Sequence, residues 1–119
     1  MSDSTAAPLA KVSLGRQLLR REVNERVRTA DPGAPELVLL CECGRPRCVD
    51  RFAVSAGTYE DVRRFPTHFV VRAGHEAAEA ERLVAEHDGF RVVEKYGAPG
   101  LAAIRAQRRK LRLAAATRN

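Results

Sequence analysis

The 119-residue sequence contains no tryptophan and only six aromatic side chains, four Phe and two Tyr. Large core-filling groups are scarce, and a chain of this length has room for one domain and one core. A core so small gains from a staple such as a metal. Cysteine is also sparse: there are three, an odd number, two of them only two positions apart. That is poor material for a disulfide framework and favours a reducing compartment. No stretch approaches the roughly 18 apolar residues of a membrane span. The first ten residues carry Asp3 and no basic segment leading into an apolar one, so the expectation is a soluble, cytoplasmic chain without a membrane role.

Catalytic motifs are missing as well. The sequence has no phosphate-cradling glycine loop, no nucleophile elbow and no HExxH. A zinc deaminase needs His-x-Glu upstream of Pro-Cys-x-x-Cys, whereas here His75 and Glu76 are adjacent, lie downstream and have no such cysteine pair. These absences argue against an enzyme and leave a zinc hydrolase or deaminase as the weakest of the readings.

Acidic residues are absent from the last 19 positions, which carry six basic ones. Divided by region, the net charge of +6 becomes +3 over residues 1–30, −3 over residues 31–100 and +6 over residues 101–119. The central part is mildly acidic and the surplus lies in the ends. Residues Arg105, Arg108, Arg109, Lys110 and Arg112 form a single-sign run of the kind that contacts nucleic-acid phosphates or acidic partners, although a solvated tail is an equally common outcome. Aromatic interleaving is slight, so any contact there is to phosphate and not by base stacking.

What is present begins with Cys41-Glu42-Cys43-Gly44-Arg45-Pro46-Arg47-Cys48. In an extended segment residues i and i+2 project to the same side, so Cys41 and Cys43 face a common point while Glu42 faces away. Gly44 and Pro46 supply a turn that returns Cys48 to the same centre. Three thiolates then occupy three corners of the tetrahedron that Zn2+ prefers. The spacing is less diagnostic than paired Cys-x-x-Cys; the alternatives are three unrelated small buried residues, or a redox-active pair formed by Cys43 and Cys48 with arginines nearby lowering a thiol pKa. A fourth ligand must come from His68, His75 or His87. His75 is the expected one, because it sits in a Gly-His-Glu turn free to reach a neighbouring loop, whereas His68 opens a strand and His87 packs on or caps a helix. Arg45, Arg47 and Arg51 lie close enough to offset the roughly −1 charge of a zinc with three thiolates, a simpler role for them than a phosphate-binding finger.

Around the cluster the pattern predicts an α+β domain over residues 11–97, with residues 1–10 an unstructured tail and residues 98–119 a basic C-terminal helix or tail. A helix runs from Lys11 to Ala30, ended by Asp31, Pro32, Gly33 and Pro35, with Val12, Leu19, Val23 and Val27 on one stripe, of which Leu19, Val23 and Val27 are expected to cover the sheet in preference to binding a partner. Leu37–Leu40 and Arg51–Val54 read as a hairpin with the cysteines at its tip. Ser55 caps a short helix through Arg64. His68–Arg72 and Phe90–Tyr96 read as strands, Glu76–His87 as an amphipathic helix and Leu101–Ala116 as a second basic helix. The sheet is expected to have three or four strands.

Arg21-Glu-Val-Asn-Glu-Arg-Val, Cys-Glu-Cys-Gly, Phe69-Val-Val-Arg-Ala-Gly-His-Glu and Val92-Val-Glu-Lys together resemble an uncharacterised family of short actinobacterial proteins with a Cys-x-Cys-Gly-x3-Cys cluster, over about residues 20 to 96. The resemblance implies that Gly-His-Glu belongs to the shared pattern, in favour of His75 over His68, and it implies no activity. The functional expectation is a non-catalytic, zinc-stabilised regulatory or adaptor protein, zinc-finger-like, with an unspecified protein or nucleic-acid partner.

Overall fold

A computed structural model describes residues 6–77 and 79–117, with side chains described from Leu14 onward. The element order is α1 (Ala6–Ala30), β1 (Glu36–Leu40), β2 (Arg51–Ser55), α2 (Ala56–Arg63), β3 (His68–Val71), β4 (Glu81–His87), β5 (Phe90–Lys95) and α3 (Gly97–Thr117). The α+β class is as expected. Of the ten residues read as a tail, the first five lie outside the described residues, and α1 starts at Ala6. Pro8 falls in its first turn, where a missing N–H costs no helical hydrogen bond.

The strands form two antiparallel sheets. β1 pairs with β2, from Glu36 opposite Ser55 to Leu40 opposite Arg51, and the second sheet is three-stranded in the order β3-β5-β4. β3 meets β5 with Val70 opposite Val92, and β4 meets β5 with Leu83 opposite Val93 and Ala85 opposite Val92. Side chains of a strand alternate between faces, and here both faces of the three-stranded sheet are covered. Val70, Phe90 and Val92 join Leu37, Leu39, Val54, Tyr59 and Val62 from β1, β2 and α2. Phe69, Val71 and Val93, on the other face, join Cys41, Cys43 and Ala103 of α3. The chain compensates for its few aromatics by building two thin cores around one β-branched sheet.

Ser55 caps α2 as expected, its hydroxyl accepting from the Thr58 N–H at 3.1 Å. Among the described residues of the helix expected over residues 76–87, none is helical. Its C-terminal part is β4, and Ala80 and Glu81 instead close a turn on Ala77. Alanine and glutamate favour a helix in isolation, but Asp88-Gly89 forms a two-residue hairpin turn, with Gly89 at φ 88°. Pairing with the Val92-Val93 strand outweighs the local preference. His87 therefore lies on a strand and stacks on Phe90, ring centres 4.7 Å apart.

The orientation of α1 also differs from expectation. Leu19 and Val23 are 66% and 42% exposed, and only Val27 of that stripe packs on the core, while Val12 lies outside the described side chains. The buried face carries Gln17, Arg21 and Asn24, which share a helical stripe by their i, i+4, i+7 spacing.

α3 docks through its first turns. Gly100 lies so close to the end of β5 that a Cβ would stand 2.7 Å from the Lys95 carbonyl oxygen, and Ala103 is fully buried. Further along, Lys110 Nζ meets Glu22 of α1 at 2.8 Å. No helix among the described residues is long and apolar enough to cross a membrane.

Candidate metal centre

The hairpin closes where Cys41 N–H donates to the Asp50 carbonyl at 2.8 Å, so residues 41–50 form the loop between β1 and β2. Its first residues leave β1 and run beside β3: Glu42 N–H donates to the Val70 carbonyl at 2.7 Å, and Arg72 N–H donates to Cys41 Sγ at 3.2 Å. β3 is thus covered on the edge away from β5. In this extended stretch Cys41 and Cys43 share one side, and Glu42 points the opposite way, into the interior.

Glu42 is fully buried and fixes that geometry. Its Oε2 accepts from Asn24 Nδ2 at 2.7 Å and from Arg63 Nη2, and its Oε1 accepts from Val70 N–H at 3.0 Å. Asn24 also brackets Leu40, donating to its carbonyl and accepting from its N–H at 2.8 and 2.9 Å. Gln17 Nε2 donates to the Glu42 carbonyl at 3.1 Å and to Glu81 Oε2 at 2.6 Å, and Lys95 Nζ completes an ion pair with Glu81 at 3.0 Å. Buried polar groups need partners of this kind, which is why the inward face of α1 is polar. It grips the cysteine loop by hydrogen bonds, with Leu18 beside it packing on the core cluster that holds Cys41 and Cys43.

The structure brings Cys41, Cys43, Cys48 and His75 together, with their ligand atoms all within 4.8 Å of one another. Cys41 and Cys43 are buried, Cys48 and His75 half-buried, and the three cysteines are free of disulfides. His75 Nδ1 lies 3.7 Å from Cys41 Sγ and 3.5 Å from Cys48 Sγ. A tetrahedral zinc with S and N ligands at ordinary bond lengths has an S-to-N edge of about 3.6 Å. The observed edges match that value on either side, so the donor set fits a tetrahedral thiolate-rich ion.

The opposite ring nitrogen, His75 Nε2, faces Asp50 Oδ2 at 3.7 Å. A carboxylate behind a ligating imidazole fixes its tautomer and orientation. Asp50 is in turn held by Arg72 Nη1 at 3.2 Å. Arg20 of α1 donates from Nη1 to the Cys43 carbonyl, approaches Cys43 Sγ at 3.6 Å and reaches the Arg45 carbonyl from Nη2 at 2.7 Å. Of the arginines expected to offset the site's charge, Arg45 acts as a strut, donating to the Gly74 carbonyl at 2.8 Å and tying the cysteine loop to the His75 turn. Arg47 and Arg51 are exposed.

Without an ion the thiols are unequal. The hydrogen bond from Cys41 brings Cys43 down to about 4 against the effect of burial. That same bond, followed by burial, pushes the Cys41 thiol up, and burial raises Cys48. The cluster therefore carries one thiolate before any metal arrives.

His68 belongs elsewhere: it stacks on Phe65 with centres 4.5 Å apart and faces Glu94 at 3.5 Å. Arg105, Arg108, Arg109, Lys110 and Arg112 are all exposed on α3. Sequence reasoning missed Asp50 and Arg20. Asp50, two positions after Cys48, was within reach of it, whereas nothing in the sequence marks Arg20 as a neighbour of Cys43. Comparison with protein-family models, with characterised proteins and with solved structures returned no match.

Proposed function

We propose that the chain is a non-catalytic regulatory or adaptor domain stapled by one Zn2+, with α3 presenting a basic surface to a protein partner or to nucleic-acid phosphates. The observation that carries the reading is the cluster of three sulfurs and one imidazole nitrogen within 4.8 Å of one another, with His75 Nδ1 at 3.7 and 3.5 Å from the Cys41 and Cys48 sulfurs and Asp50 behind its ring. Four protein ligands fill a tetrahedral zinc and leave no position for a reacting water, the hallmark of a structural site. Soft thiolates favour zinc over the harder divalent ions. Such thiolates persist in a reducing compartment, the setting that this reading requires. On the same reading the cluster is the shared feature of the short actinobacterial family that the sequence resembles.

The thiolate character of Cys43 favours a second reading, a redox pair with Cys48. Full burial of Cys43 works against it, since an attacking thiolate must reach its target. Metal analysis of protein purified without oxygen separates the two. One zinc per chain, lost together with the fold on chelation, supports the structural reading. Metal-free, folded protein with a reversible disulfide between Cys43 and Cys48 contradicts it.

A further inference from the structure

Between α1, α3 and the turn after α2 lies an open cleft of about 320 Å³, away from the cysteine cluster. Its charged lining is Arg21, Arg63, Arg109 and Lys110 against Glu22 and Glu25. Glu22 is paired with Lys110 at 2.8 Å, and Glu25 faces Arg63 at 3.4 Å. Arg63 also serves the buried Glu42. Two cations remain in surplus, Arg21 and Arg109. Arg21 is only 8% exposed, and it stacks on Phe69 at 4.8 Å and donates from Nη1 to the Pro66 carbonyl. Among the described residues no carboxylate lies within ion-pair distance of it. Glu42 and Glu25 act on it only from beyond that distance and leave its pKa lowered by burial and by Arg63; a buried guanidinium so incompletely compensated is costly, and one that lines a cleft can be neutralised from outside.

The rest of the lining is apolar. Leu18, Phe65, Pro66 and Leu113 flank the cations, with Phe65 and Leu113 largely exposed. A free small anion leaves those side chains in water; a segment that carries both carboxylates and an apolar side chain covers them. We propose that this cleft docks a short acidic segment of a protein partner, its carboxylates on Arg21 and Arg109 and an apolar side chain against Leu18, Phe65 and Leu113. The proposal rests on the adaptor reading and gives its partner a chemistry.

Fluorescence anisotropy on zinc-loaded protein tests it, with a fluorescein-labelled peptide of Glu-Leu-Asp repeats, a peptide of Glu-Ser-Asp repeats of equal length and charge, and a labelled DNA duplex. Arg109→Glu is compared with Arg112→Glu, which makes the same charge change on the same helix outside the cleft. Leu113→Ala is compared with Leu111→Ala, two exposed leucines of which only Leu113 lines the cleft. The Glu-Leu-Asp peptide is expected to bind more tightly than the Glu-Ser-Asp peptide. Arg109→Glu should weaken it at least about tenfold, Leu113→Ala should also weaken it, and both controls should stay within about threefold.

Absence of binding, equal binding of the two peptides, or equal loss in each variant and its control overturns the proposal. So does a duplex that binds more tightly than either peptide and depends on Arg109. Zinc content measured on the same samples keeps the two readings apart. Full zinc with no peptide binding refutes the cleft alone, whereas loss of zinc from the wild-type chain refutes the staple.

Discussion

Replacing Glu42 with glutamine tests how the fold holds its cysteine loop. The residue lies between two of the candidate ligands, and its carboxylate is the acceptor shared by Asn24, Arg63 and the Val70 N–H. Glutamine keeps the shape and one acceptor but removes the charge. Arg63, only 12% exposed, then lacks its closest counter-ion, and Arg21, whose pKa is already lowered by burial and by the neighbouring Arg63, loses a compensating carboxylate. Breaking a buried pair from one side typically costs about 3–5 kcal/mol. Because Glu25 stands 3.4 Å from Arg63 and offers partial compensation, the lower end applies, about 3 kcal/mol. For a chain of this size that corresponds to a fall in Tm of roughly 12 °C. Urea unfolding of the zinc-loaded protein, followed by circular dichroism, reads the change directly. The double variant Glu42→Gln/Arg63→Met removes both charges and should recover about half of the loss, because the orphaned cation is gone. A single-variant loss below about 1 kcal/mol, or a double variant as unstable as the sum of the singles, would refute the account of a polar grip on the loop.

Three further outcomes follow from the metal site. His75→Ala should abolish tight zinc retention while His68→Ala leaves it intact, as read by a colorimetric chelator competition; equal retention in both variants would remove His75 from the ligand set. Asp50→Asn, which takes the negative charge from behind His75 Nε2, should weaken zinc affinity by about 10- to 100-fold without removing a ligand, and an unchanged affinity would deny Asp50 that role. Zinc affinity should also rise steeply with pH. Cys41 and Cys48 have raised pKa values and are protonated at neutral pH, while Cys43 is already a thiolate. Binding therefore releases about two protons, and affinity falls as pH falls. Calorimetry in buffers of different ionisation enthalpy counts them, and a count near zero would contradict the thiol assignments.

Much of the candidate site was legible because its geometry is local. Alternation places Cys41 and Cys43 on one side of an extended segment, Gly44 and Pro46 turn the chain, and the Gly-His-Glu turn leaves His75 free to reach across. The elements that failed are those in which a distant partner outweighed local preference. The segment from Glu76 to His87 reads as helix until β5 claims its second half, Glu81–His87, as a hairpin strand, although Asp88-Gly89 was a readable hairpin signal. α1 was assigned its buried face by hydrophobicity, and the loop it packs on is a row of backbone groups and the Glu42 carboxylate, which call for Gln17 and Asn24 instead. A polar stripe of that kind reads as solvent-facing in a sequence, because nothing local tells a buried amide from an exposed one. Ala103 and Gly100 dock α3 against β5 through their small size, a contact that six basic residues obscure when the segment is read by charge.

The most direct test of the central claim is X-ray absorption at the zinc edge on protein loaded with one equivalent of the metal. The account predicts three sulfur neighbours at about 2.3 Å and one nitrogen at about 2.0–2.1 Å, with the nitrogen shell lost in His75→Ala. Fewer than three sulfurs, a shell of oxygen ligands, or a nitrogen that persists without His75 would contradict it.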